Sequence, residues 1–341
     1  MGKEAWPIVD GTEVKTYRLR DGRGLEAVVT NLGAAVQSLF LEDEKGKTDV
    51  LLGFSNPQKQ LEKGPMFGVT LGRYAGKICF ARCEAEGREL CLSKSHGEHH
   101  AHGGKRGFDK HIFRTEQVSE DQAVFSYYSP DGEEGYPGNL TLRVLYQVKD
   151  RSLCIRYEAR ADKDTPVNIS NHMYFNLSGN GGQNIAYEEV MLCASKIGEI
   201  GEQGLPAGKA LSVCGTAMDF SKKKPIETCL KNPTEMMRRA KGLDHDYILD
   251  LDIKGAAAVL YDGIYGRKME LFTDMPCIHF YVPDFTGMNY MGKGNKIYNS
   301  FCGVCFEPMF PFDSINSGLG GRPLLKKGEL WAHETRYVFD W

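Results

Sequence analysis

Four of the nine histidines crowd into one run, His96-Gly97-Glu98-His99-His100-Ala101-His102-Gly103-Gly104. Imidazole titrates near neutrality and binds metals, so the run has two chemical readings. The metal reading is the weaker. The spacing matches no helical H-E-x-x-H, and no carboxylate or cysteine cluster beside it completes a ligand set. In the other reading His102 presents its ring over a cleft, because the Gly103-Gly104 turn behind it lets backbone approach closely. A second segment, Asn171-His172-Met173-Tyr174-Phe175-Asn176-Leu177, reads as a strand with His172, Tyr174 and Asn176 on one face. A lone histidine is more often a hydrogen-bonded structural group, but three polar side chains on one face favour a cleft. In a third segment, Cys305-Phe306-Glu307-Pro308, an acid follows an apolar strand, and a nearly buried carboxyl needs a partner or a function. Neither His172 nor Glu307 identifies a reaction alone.

Other motifs carry less. Asp131-Gly132-Glu133-Glu134-Gly135-Tyr136-Pro137-Gly138 lacks the alternating oxygen ligands of a calcium loop and reads as a structured turn that could line a site. Cys302 and Cys305 form one C-x-x-C pair, without the second pair that a structural zinc site requires. No phosphate-binding loop, dinucleotide fingerprint or nucleophile elbow is present.

The elements that must hold these residues are strands. Leu142, Val144, Tyr146 and Val148 alternate with Thr141, Arg143 and Gln147. After the turn 149–152, Leu153, Ile155, Tyr157 and Ala159 alternate with Cys154, Arg156, Glu158 and Arg160. A period of two with one apolar face predicts a hairpin. Similar runs occupy 25–41, 124–128, 256–261, 268–272, 278–282 and 337–341. Helical signals are scarce. The best follows Asn232, with Pro233 at the first helical position, Glu235 completing a capping box and Gly242 as the stop. With no β-α-β alternation, internal repeat or linker, the expectation is all-β: one large antiparallel β-sandwich spanning 1–341 as a single domain.

Composition narrows the partners. A formal net charge of −3 with scattered Lys and Arg argues against nucleic acid or an anionic membrane, and Lys222-Lys223-Lys224 is a short solvated run ended by Pro225. No window approaches the roughly 20 apolar residues of a membrane span. The first residues, with Lys3, Glu4, Asp10 and Glu13, lack a signal-like apolar stretch. Ten cysteines without such a signal read as reduced thiols in a cytoplasmic protein.

Taken in order, several segments resemble the aldose 1-epimerase family: 31–34 (Asn-Leu-Gly-Ala) with 50–54, Gly72-Arg73-Tyr74-Ala75, and His102-Gly103-Gly104 with Gly107-Phe108-Asp109-Lys110. The series continues with the 131–138 loop, 171–177 with Gly179, Leu243-Asp244-His245, Cys305-Phe306-Glu307 and 313–316. The resemblance covers the whole chain. It implies a β-sandwich with an open sugar cleft and interconversion of α and β anomers of aldohexoses, without cofactor or metal. It also implies that Glu307 is the base at the anomeric hydroxyl, His172 the acid at the ring oxygen and His102 a second histidine near that oxygen. Arg73 and Asp244 would hold sugar hydroxyls, and Tyr174 and Phe280 could pack on the C–H face of the sugar. The implied partner is a small-molecule sugar, on a monomer or homodimer.

Four positions depart from the family pattern: Gly72 in place of Asn, His279 in place of a substrate-binding Gln, Pro283-Asp284 in place of Gly-Asn, and Met309 in place of Gln. His279 is expected to face the cleft as a neutral imidazole gripping sugar hydroxyls, or else to be a satisfied structural residue. Ile278, Phe280 and Val282 should point into the core. Two rival functions remain, a hexose-6-phosphate epimerase needing a basic cluster at the cleft rim, and a sugar-binding regulatory protein without turnover.

Overall fold

A computed structural model describes residues 8–9, 11–61, 64–181, 183–250 and 254–341. Lys3, Glu4 and Asp10 lie outside the described residues. The expected hairpin is present as β1 (Leu140–Lys149) and β2 (Ser152–Ala161), paired antiparallel over their full length. Leu142, Val144, Tyr146, Val148, Leu153, Ile155, Tyr157 and Ala159 are all buried. The two-residue turn puts Asp150 and Arg151 at φ 49° and 57°. Positive φ at both central positions is the backbone that matches strand twist in a tight hairpin, here without a glycine.

This hairpin sits inside a nine-stranded antiparallel sheet. Gln122–Ser129 flanks β1, and the carboxy-terminal strand Trp331–Asp340 flanks β2. A six-stranded antiparallel sheet holds, side by side, β3 (Asp244–Ile248), β4 (Cys277–Tyr281) and β5 (Val304–Met309). A four-stranded sheet of Thr16–Arg20, Leu25–Thr30, Ala35–Asp43 and Gly46–Asp49 completes the main framework. Leu39, Val144, Tyr157, Phe280 and Phe306 share one buried apolar cluster that takes residues from all three sheets. Ring contacts from Phe175 to Tyr337 and Phe339 join the sheets across it. At roughly 25 cal/mol per Å² of apolar surface, burial on this scale is the dominant favourable term in the fold.

The helix near Asn232 differs from expectation. Thr234 is the cap, its hydroxyl accepting from the Met237 N–H at 3.3 Å, and the helix is Glu235–Ala240. The Asn232 amide instead donates to the Thr228 carbonyl at 2.9 Å, closing a separate helix, Ile226–Leu230, which the sequence reading had missed. Gly242 does act as the stop, its N–H donating to Met237 O. Among the described residues no helix is long and apolar enough to cross a membrane, and all ten cysteines are free thiols.

Candidate active site

Three neighbouring strands build the floor of a cleft. In β3, β4 and β5, Asp246 stands opposite His279 and His279 opposite Glu307, so three ionisable side chains form a row across the sheet. Side chains two apart on a strand share a face, which adds Asp244 from β3, Tyr281 from β4 and Cys305 from β5 to the same side. Ile278, Phe280 and Val282 point into the core, as expected for the other face. Phe280 is therefore a core residue packed on Phe306 and Phe220, not a platform for a sugar.

His172 reaches this floor from a chain that changes sheets. Ser170–Asn171 pairs with Thr70–Leu71, whereas Tyr174–Phe175 pairs with β5. Between them the His172 N–H donates to Val69 O at 3.0 Å, and its carbonyl accepts from the Gly68 N–H at 2.8 Å. The segment is thus two short strands rather than one. His172 and Tyr174 still share the cleft face, their rings stacked in parallel at 4.8 Å. Asn176 does not join them. Its amide is buried and donates to Gln183 O and Cys302 O, both at 2.8 Å.

His102 closes the other wall. Its ring centroid lies 5.6 Å from that of His172, and its Nδ1 accepts from the Gly76 N–H at 3.4 Å. The adjacent glycine is required: a Cβ at Gly103 would fall 1.7 Å from the Gly72 carbonyl oxygen. The 131–138 loop buttresses this wall without lining the cleft, for Glu134 accepts from the Lys105 and Arg106 N–H groups at 2.9 and 3.0 Å.

The resulting cavity, about 390 Å³, is lined by His102, His172, Tyr174, Asp244, His279, Tyr281, Glu307, Phe312 and Lys77, among others. Five of the six expected site residues are there. Arg73 is not. Its guanidinium is buried beneath the cleft wall, donating to the carbonyls of Pro137 and Gly138 at 3.0 Å each and to Ser129. Holding a sugar hydroxyl with those nitrogens would mean abandoning buried carbonyls, which is costly.

His279 faces the cleft, but both of its nitrogens are taken. Nε2 donates to Asp244 Oδ1 and Nδ1 to Asp246 Oδ1, each at 2.8 Å. The ring stacks on Phe312 at 4.3 Å, and the Phe312 N–H donates to the other Asp246 oxygen at 2.7 Å. Burial alone would lower the His279 pKa, yet the two carboxylates outweigh it and hold the ring protonated well above its ordinary range. The expected neutral imidazole that grips hydroxyls is thus replaced by an imidazolium clamped between two aspartates. Asp244 is the member of that chain with solvent access, its side chain 42% exposed. The cleft walls partly desolvate its carboxyl and push it up, but the His279 hydrogen bond and charge hold it down to about 2. It stays an anion able to accept from sugar hydroxyls.

The central pair is His172 and Glu307, with Nδ1 and Oε1 3.5 Å apart. Burial raises the Glu307 carboxyl to about 8; the His279 cation opposes this and Asp244 and Asp246 add to it. Burial lowers His172 well below its ordinary value, and the His102 and His279 rings push the same way. The other carboxylate oxygen of Glu307 has no partner among the described residues.

Sequence reasoning missed Asp246, Tyr281, Phe312 and Lys77. The first two were within reach, each lying two residues along a strand from a site residue already identified. Phe312 arrives from a turn and Lys77 from a two-residue strand, Lys77–Ile78, too short for periodicity to reveal.

Known proteins resemble this chain over nearly its whole length. The sequence profile of the family described as Aldose 1-epimerase matches residues 15–338. The chain is 34% identical over 332 residues to galactose mutarotase of Rattus norvegicus, covering 97% of this chain and 95% of the relative. It is 31% identical over 336 residues to aldose 1-epimerase of Escherichia coli K12, covering 97% and 96%. The crystal structure of galactose 1-epimerase from Lactobacillus acidophilus NCFM superposes with a TM-score of 0.85 at 26% identity, covering 98% of this chain and 97% of that one. A Caenorhabditis elegans homologue shares the fold with a TM-score of 0.86 at 24% identity, covering 96% and 99%. With a family profile matching residues 15–338 and relatives 31–34% identical over nearly their whole length, this chain belongs to the aldose 1-epimerase family.

Proposed function

We infer that this aldose 1-epimerase interconverts the α and β anomers of free aldohexoses, galactose and glucose among them, with Glu307 and His172 carrying the proton transfers. The observation that supports this reading is the 3.5 Å approach of the two groups on the cleft floor. Opening a pyranose ring needs one group to take the proton of the anomeric hydroxyl and another to protonate the ring oxygen. Closure on the other face of the aldehyde reverses both roles. Such a pair must hold one proton between its members. A carboxyl raised to about 8 beside a histidine lowered below its ordinary range does so at neutral pH. Nδ1 of His172 faces Glu307, which leaves Nε2 for the ring oxygen. Glu307 serves the anomeric hydroxyl from the cleft floor that it lines. His102 supports the ring-oxygen side, Asp244 accepts from hydroxyls, and Tyr174 and Tyr281 supply apolar faces. The Asp246–His279 pair positions Asp244. The free thiols fit a cytoplasmic enzyme.

A second reading, a phosphorylated hexose, draws on Lys77, which also borders an adjoining cavity of about 290 Å³ together with Arg239 and Lys241. Polarimetry on freshly dissolved α-D-glucose, α-D-galactose and α-D-glucose 6-phosphate, with and without protein, separates the two. Acceleration of the free sugars supports our reading, acceleration of the phosphate ester alone supports the second, and none would overturn both.

A further inference from the structure

The proton-transfer scheme leaves unused a thiol buried directly behind the catalytic pair, that of Cys305. Its Sγ lies 3.5 Å from Nδ1 of His172, the nitrogen that also faces Glu307 Oε1 at 3.5 Å. All three donor atoms lie within 4.8 Å of one another. A tetrahedral zinc ion bound by one thiolate, one imidazole and one carboxylate has bonds of about 2.3, 2.0–2.1 and 2.0–2.2 Å. Those lengths put sulfur and nitrogen about 3.6 Å apart, and nitrogen and oxygen about 3.4 Å apart. The two measured edges match these lengths, and the sulfur–oxygen edge, which lies within 4.8 Å, would have to close to about 3.6 Å by side-chain rotation as the ion binds. Cys305 and Glu307 are two residues apart on β5, and Tyr174, beside His172, pairs with Cys305 in register. Two donors are therefore fixed on one strand, and His172 is held between two short paired strands by its backbone hydrogen bonds to Gly68 and Val69. Glu307 keeps an oxygen without a partner, and the open cavity supplies a fourth position for water or a sugar hydroxyl. A thiolate with an imidazole selects zinc or cadmium over magnesium or calcium.

We propose that Cys305, His172 and Glu307 form a binding site for zinc-class cations superposed on the catalytic pair, so that such an ion inhibits by competing with the sugar. The proposal rests on the reading of Glu307 and His172 as the proton-transfer pair, and direct measurement of metal binding keeps the two separable. The probe is cadmium or zinc chloride added to protein freed of metal by EDTA and then of EDTA. We expect about one ion bound per chain, a thiolate-to-cadmium charge-transfer band in the ultraviolet, and a mutarotation rate lost on adding zinc and restored by EDTA. Raising the sugar concentration should relieve the inhibition. In Cys305→Ala the band should vanish, and inhibition, read against that variant's own metal-free rate, should need at least about tenfold more zinc. Loss of outer-shell partners alone costs 10–100-fold in affinity. His172→Asn keeps every thiol and should weaken cadmium binding by at least about the same factor, measured by equilibrium dialysis without any need for activity, which covers the case in which Cys305→Ala fails to fold. An unchanged cadmium band in Cys305→Ala, unchanged affinity in His172→Asn, or no inhibition by zinc at one bound ion per chain would each overturn the proposal. If wild-type protein binds cadmium with the expected band but never accelerates mutarotation, the metal site stands and the catalytic reading fails.

Discussion

Replacing His279 by glutamine tests how the cleft sets the proton content of the proposed catalytic pair, Glu307 and His172. With burial raising the Glu307 carboxyl to about 8, the pair should hold one proton up to about that pH. His172 is already neutral there, since its pKa is lowered. Above that point the pair has no proton to deliver to the ring oxygen, so kcat/KM should be flat near neutrality and fall about tenfold per pH unit on the alkaline side. The His279 cation is the one influence among those acting on Glu307 that lowers its pKa. Directly opposed residues on adjacent strands have Cβ atoms about 4.5–5.5 Å apart, which places the two charges roughly 6 Å apart. At an effective dielectric of about 20 that interaction is worth about 2.8 kcal/mol, or roughly two pKa units. Hydration of the partly exposed Asp244 reduces it, and roughly one to two is the expected range. His279→Gln also leaves Asp244 and Asp246 without their shared counter-ion, and both raise Glu307 further. The alkaline fall should therefore move from about 8 to roughly 9–10. KM should rise as Asp244 loses its 2.8 Å partner. Initial mutarotation rates by polarimetry, corrected for the buffer-catalysed background and taken from pH 5 to 10.5 for both proteins, give the two profiles. Alkaline limbs that coincide within about half a pH unit would refute the reasoning.

Glu307→Gln and His172→Asn should each lower kcat by about 10²–10⁴-fold at normal thermal stability, and retention of more than a tenth of the wild-type rate would count against the assignment. Dialysis against EDTA should leave the rate of purified protein unchanged, because the scheme consists of proton transfers between side chains; a loss restored by zinc would contradict it. Gly103→Ala should destabilise the His102 wall by several kcal/mol or prevent folding, since its Cβ would overlap the Gly72 carbonyl, and a melting temperature within about 2 °C of wild type would argue otherwise. Leu142→Ala, at a fully buried position of β1, should cost about 2–5 kcal/mol in chemical denaturation without altering KM.

Alternation of apolar and polar residues was enough to locate the hairpin of β1 and β2 and to orient Ile278, Phe280 and Val282 away from the cleft, because strand faces follow a period of two that any sequence displays. The ordered motifs around His102, His172, Asp244 and Glu307 were equally legible, and these four do meet in one cavity. Partnership was not legible. Arg73 looks like a ligand-binding arginine in sequence, but the carbonyls of Pro137 and Gly138, more than sixty residues away, and that of Ser129 claim its two terminal nitrogens, leaving only a buried Nε without a partner among the described residues. The ionisation state of His279 was hidden for the same reason. It depends on Asp244 and Asp246 standing across a strand boundary from it, and the energy of a charge is set by what lies within a few ångströms in space, not by its neighbours along the chain. Asn232 makes the point locally, forming a good cap by pattern yet spending its side chain on the preceding helix once that helix exists. Residue types and faces are one-dimensional properties, whereas the competition for each buried donor and acceptor is decided only when the sheets come together.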